Sequence, residues 1–175
     1  MNKFMKKLVL FILLFCLLLS ACAKEIIPER EIDIDIRALE ASIREKVDFS
    51  EHDDHGYDEY PQELAKALFG ITEAEAADII VIKKVDFNNM FNEEILVLAR
   101  SENAETAAAV AAKLSAYKEQ KLKTLTDYSV EGNEAQYWLV DGSEIKAEQK
   151  YVFWIVDERA AEINNIIKEY MENGG

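Results

Sequence analysis

The sequence predicts an α+β domain: a four-stranded, largely antiparallel sheet built from two β-β-α units, with two additional N-terminal helices. Three observations lead there. Short β-rich runs arrive in pairs, 79–84 with 94–100 and 135–140 with 150–156. Strands that arrive as hairpin partners favour an antiparallel sheet. Each pair is followed by a segment of helical periodicity, 102–127 and 158–172.

The elements follow in chain order. Ile36, Leu39, Ile43 and Val47 recur at helical spacing behind Asp33 or Asp35 as N-cap, which predicts a first helix over 35–47. Pro61 suits the first position of a second helix with Leu64, Ala65, Leu68 and Phe69 on its apolar face. Gly70 suits the left-handed stop after it, and 72–77 reads as one further turn. The runs IIVIKK and EILVLAR are joined by the polar, turn-prone DFNNMFN, a hairpin link. Residues 102–127 contain neither Gly nor Pro, and Val110, Leu114, Tyr117, Leu122 and Leu125 form an imperfect apolar stripe. The second pair is joined by DGSEIKAEQ. Its strand 150–156 is apolar on both faces, as a central strand covered on both sides would be. The last helix opens after Asp157 and carries Ala160, Ile163, Ile167 and Tyr170 on one face. The first two helices are expected to cover the sheet face that the later helices leave open.

Composition excludes several classes. The chain has 175 residues, half of them hydrophobic and 31% charged, which suits one domain and not disorder. Its formal charge of −14 lacks the basic face that nucleic-acid binding needs. Both cysteines, Cys16 and Cys22, lie at the N-terminus, so neither a disulfide scaffold nor a Cys-based zinc site is expected.

That N-terminus reads as an address. Lys3, Lys6 and Lys7 precede twelve unbroken apolar residues, 8–19, the pattern of a secretory signal peptide. As a helix the run spans roughly 18 Å, short of a ~30 Å hydrocarbon core. Leu19-Ser20-Ala21-Cys22 then resembles the bacterial lipobox. The resemblance implies cleavage before Cys22 and a diacylglyceryl thioether on its sulfur, with palmitate-class chains. Residues 1–21 are then a signal peptide, 22–31 a tether containing Pro28, and 32–175 a single domain. Removing 21 residues leaves 154, and losing three Lys takes the charge to −17. Acyl chains contribute about 0.8 kcal/mol per buried CH₂, so two of them anchor a protein durably. The expected location is the cell membrane, lipid-anchored and facing outside the cytoplasm.

The run YPQELAKALFGITEAEAADIIVIKKVD, the Ala-rich helix ending AYKEQKLKTLTDY, and KYVFWIVDERAAEINNIIKEYM resemble an uncharacterised family of small lipoproteins of Gram-positive bacteria, a domain of unknown function. The similarity spans roughly 35–172 and rests on pattern and element order. It implies a surface location and the α+β fold, and it brings no catalytic residues.

Two constellations carry candidate chemistry. The segment 48–63 holds seven acids, no Lys or Arg, and both histidines. Placing Gly56 at the sixth position of a calcium loop puts Glu51, Asp53 and His55 at positions one, three and five. The twelfth position, which needs a bidentate Glu, falls on Gln62. An EF-hand is therefore not expected, but a looser divalent site using His52, Asp53, Asp54, His55 and Asp58 fits the donor types. The competing reading is a solvated acidic loop whose Asp58 caps the following helix. The second constellation is aromatic. Tyr137, Trp138, Tyr151, Phe153 and Trp154 fall on two strands expected to pair, so Trp138 and Trp154 either form a ligand platform or fill the core.

Motifs for catalysis are missing: no G-x-S-x-G, H-E-x-x-H, P-loop or G-x-G-x-x-G occurs. The expected function is a non-enzymatic binding or interaction module without a cofactor. It would be joined to the membrane through Cys22 and directed at an envelope protein or a cation, not nucleic acid. The alternative is a lipoprotein that captures a divalent metal or small solute with loop 51–59.

Overall fold

The structure, a computed structural model, describes residues 31–47, 49, 58–86, 89–127 and 133–174. The chain from Ile32 onward forms one compact unit. Helix α1 (Ile36–Lys46) is followed by the two-residue strand β1 (Asp58–Glu59), α2 (Gln62–Phe69), β2 (Asp78–Asp86), β3 (Asn89–Arg100), α3 (Ala104–Asp127), α4 (Glu134–Gly142), β4 (Ile145–Glu148), β5 (Tyr151–Val156) and α5 (Ala160–Asn173). The strands form one antiparallel sheet in the order β1-β2-β3-β5-β4.

The alternation of side chains along β2, β3 and β5 divides the core in two. On one face, Ile80, Leu98 and Phe153 stand in register, as do Ile82, Leu96 and Ile155. They pack against Ile36, Leu39 and Ile43 of α1 and Ile163, Ile166, Ile167 and Met171 of α5. On the other face, Val81, Val97 and Trp154 stand in register and meet α2, α3 and α4 through Phe69, Val110, Leu114 and Val140. The result is three layers, helix, sheet, helix. Every side chain from Tyr151 to Val156 is buried, as expected of a central strand.

The local signals act where the sequence carries them. The Asp35 Oδ1 accepts from the Arg37 N–H at 2.8 Å and so caps α1. Gly70 adopts φ 67°, and Ile71 N–H donates to the Lys66 carbonyl at 2.9 Å, the left-handed closure that a residue with a Cβ resists. Asn103 Oδ1 accepts from Thr106 N–H at 3.0 Å at the start of α3.

The α+β class and the antiparallel sheet hold, with five strands instead of four. Residues 135–140 are not a strand. They belong to α4, whose buried Gln136 and Val140 lie four residues apart on one face. The four-residue apolar run Tyr137–Val140 is too short for periodicity to separate strand from helix. The partner of β5 is instead β4, inside the segment expected as a loop. Its residues IKAE are mostly exposed, a charged edge strand without an apolar face to announce it. The turn joining β4 to β5 carries Gln149 at φ 52°, the positive φ that two-residue hairpins favour at their first central position. The first two helices do not share a face: α1 lies with α5, and α2 with α3. Both sheet faces are apolar, so each needs its own cover. Asp58 does not cap α2; it sits in β1 opposite Lys83, and Pro61 occupies the cap position.

Candidate functional site

The residues singled out in the sequence fall in different places. Cys22, His52, Asp53, Asp54 and His55 lie outside the described residues. Asp58 is exposed in β1. Among the described residues, no three His, Cys, Asp or Glu side chains converge to hold a metal. No helix among them is long and apolar enough to cross a membrane.

The shared strand face expected for Trp138 and Trp154 does not form. Trp154 is 1% exposed in β5, while Trp138 lies on α4 and is 67% exposed. Trp154 is held in the core: its Nε1–H donates to Ser143 Oγ at 2.9 Å, and its ring meets Phe69 and Tyr117 edge-on at 6.2 and 6.0 Å. Tyr137, partly buried against the core, meets the exposed Trp138 edge-on at 5.3 Å.

The structure instead gathers polar groups at one end of the sheet. Arg100 ends β3, opposite Asp78 on β2 and Tyr151 on β5. The N-terminal segment crosses this end. Ile32 N–H donates to Gln149 Oε1 at 2.8 Å, and Ile34 N–H donates to the Tyr151 hydroxyl at 2.8 Å. Asp33 is fixed by Lys150, with Nζ 2.9 Å from its Oδ1. The bond and charge of Lys150 hold the Asp33 carboxyl below its ordinary range. Lys66, buried, is neutralised by Glu73 at 2.6 Å.

Arg100 lies between two cavities. One of 380 Å³ is lined by Arg100, Ser101, Lys150, Glu73 and Glu102, among others. The second, of 420 Å³, shares Arg100 and is lined by Asp33, Asp35 and Asp78. Among the described residues, the guanidinium makes no hydrogen bond and no ion pair within 4.0 Å. Beside it, Ser101 is 3% exposed and its Oγ has no hydrogen-bond partner. An unmade hydrogen bond at a buried hydroxyl costs about 1–3 kcal/mol. A guanidinium presents five donors in a planar fork matched to an oxyanion. The arrangement can therefore receive a carboxylate or similar group without displacing an internal partner.

In a second polar cluster two lysines share one carboxylate oxygen, and the other oxygen, Glu93 Oε2, is buried without a hydrogen-bond partner. The Glu93 carboxylate on β3 receives Lys83 at 3.0 Å and Lys121 at 3.2 Å, both through Oε1. Burial pushes the Lys121 ammonium below its ordinary range. A third is a carboxyl pair, Glu94 with the buried Asp157. Burial first, and the Asp157 charge second, push Glu94 up to about 7.

Arg100, Ser101 and Lys150 were not singled out in the sequence. Their one signal is position: each sits where a wholly apolar strand run ends or begins, EILVLARS and KYVFWIV. No protein-family model matches the chain, and the searches of curated proteins and of solved structures return no match.

Proposed function

We propose that the chain is a lipoprotein held by lipid on Cys22 at the outer face of the cytoplasmic membrane, one of the small Gram-positive lipoproteins it resembles. Its domain is a non-enzymatic binding module, and its recognition surface is the Arg100 end of the sheet. One observation carries the binding reading: Arg100 stands between two cavities with no hydrogen bond or ion pair within 4.0 Å among the described residues, beside an unpartnered buried hydroxyl. Arg100 is only partly buried, so its donors are open to the two cavities. The anchor rests on the basic, apolar and LSAC succession of residues 3–22. A ten-residue tether, 22–31, spans at most about 35 Å. Binding would therefore occur close to the bilayer.

Cell fractionation with mass spectrometry of the N-terminus tests the anchor. The wild-type chain should be recovered with membranes, beginning at a diacylated Cys22. Cys22→Ala should be released or remain unprocessed. A Cys22→Ala chain that has lost residues 1–21 and is still retained with membranes would overturn the anchor. Crosslinking in intact cells with wild-type and Arg100→Ala chains tests the binding reading, which predicts partners or solutes lost from the variant.

A further inference from the structure

We infer that the Arg100 cleft binds a small zwitterion, with its carboxylate on Arg100 and Ser101 and its ammonium group toward the carboxylates of the adjoining cavity. The inference rests on the binding reading above and adds the chemical class of the ligand.

The anion subsite comes from two unmet needs in one place. The Arg100 fork offers parallel donors, and bidentate pairing with a carboxylate is its strongest geometry. The Ser101 hydroxyl, buried and unpartnered, gains the bond it lacks when an oxygen arrives. The nearby cations are already spent: Lys150 on Asp33 at 2.9 Å and Lys66 on Glu73 at 2.6 Å. Arg100 is thus the cation left to take a charge.

The cation subsite comes from the balance across both cavities. Once the Lys150–Asp33 and Lys66–Glu73 pairs are set aside, Asp35, Asp78 and Glu102 line them against Arg100. The excess is negative, so a dianion such as phosphate meets repulsion that a monoanion largely avoids. In the 420 Å³ cavity Asp35 and Asp78 share the lining with Arg100, Asp33 being already paired with Lys150. An ammonium group entering there is attracted while its carboxylate neutralises Arg100. One molecule carrying both groups satisfies both cavities; free amino acids and short peptides have this chemistry.

Isothermal titration on the full chain in detergent micelles tests the inference, using L-alanine, acetate, methylammonium and inorganic phosphate as probes. L-alanine should bind more tightly than acetate or methylammonium, and phosphate should give the weakest signal. Arg100→Ala should weaken L-alanine and acetate roughly ten- to hundredfold, since a hydrogen-bonded charge is lost. Methylammonium should be unaffected or improved. Ser101→Ala should weaken L-alanine by a smaller factor. Arg100→Ala removes no hydrogen bond or ion pair made among the described residues and should keep the wild-type melting temperature, and Ser101→Ala sheds an unpaired buried hydroxyl and should melt at or above it, which separates lost binding from lost folding. Phosphate binding that Arg100→Ala abolishes, without L-alanine binding, would overturn the zwitterion while leaving a binding cleft. L-alanine affinity unchanged in Arg100→Ala would overturn the assignment of the subsite. No heat from any probe, with crosslinked partners unchanged by Arg100→Ala, would overturn the inference and the binding reading together.

Discussion

Replacing Glu94 with Gln should flatten the pH dependence of folding. Glu94 sits on β3 with its side chain 28% exposed and in contact with the buried Asp157. Lys84 lies 3.7 Å away, and Arg159, itself bound to Asp157 at 2.9 Å, lies 3.9 Å away. Burial and the Asp157 charge outweigh these cations and raise the carboxyl from 4.5 to about 7. A carboxyl whose folded value lies above its unfolded value binds its proton more tightly when folded. The stability this adds is complete below about 4.5 and is lost as the pH rises towards 7. The gap between 4.5 and about 7 sets a ceiling of about 3 kcal/mol. Solvent reaching the side chain screens it to roughly 1–2 kcal/mol. Glu94→Gln keeps the shape and carries no charge. Urea denaturation of both proteins between pH 4.5 and 8.5 gives the difference directly. The two should be equally stable near pH 4.5, and the variant should be more stable by roughly 1–2 kcal/mol above pH 7.5. A variant less stable than wild type at pH 8 would show that Lys84 and Arg159 dominate, and would refute the reasoning.

Other substitutions separate the remaining roles. Glu93→Ala leaves Lys83 and Lys121 buried without their shared counter-ion and should cost about 3–5 kcal/mol in chemical denaturation; a loss under about 1 kcal/mol would mean that the lysines reach water. Trp154→Ala empties the centre of the Phe69–Tyr117 cluster and should cost about 3–5 kcal/mol. Trp138→Ala, on the exposed side of α4, should change stability by less than about 0.5 kcal/mol. Equal effects of the two would contradict the placement of 134–142 as a helix. His52→Ala/His55→Ala should leave L-alanine binding unchanged, and a loss in that titration would move recognition to loop 51–59.

Much of the fold was legible because its signals are local. The spacing of Ile36, Leu39 and Ile43 behind a capping Asp, and the positive-φ Gly70, are read within a few residues. The double apolar run Tyr151–Val156 announces a strand covered on both faces. The misreadings have two causes. The helical partner of Tyr137–Val140 is α3, which lies outside any local window, and tertiary packing decided between helix and strand there. Strand β4 was invisible because an edge strand facing solvent needs no apolar alternation. The site was harder still. Asp33, Asp78, Arg100 and Lys150 are spread over 118 positions of sequence, and only the register of β2, β3 and β5 with the N-terminal crossing brings them to one end. The acidic loop drew attention through composition, while Arg100 differs from the other described arginines in making no hydrogen bond or ion pair within 4.0 Å among the described residues.

The central claim, that recognition takes place at the Arg100 end of the sheet, is tested most directly by amide NMR of the isotopically labelled protein titrated with L-alanine. Saturable shifts confined to Asp33, Asp35, Asp78, Arg100, Ser101 and Lys150, and absent in Arg100→Ala, are the expected result. Shifts centred on residues 51–59 or on Trp138, with the Arg100 end unmoved, would contradict it.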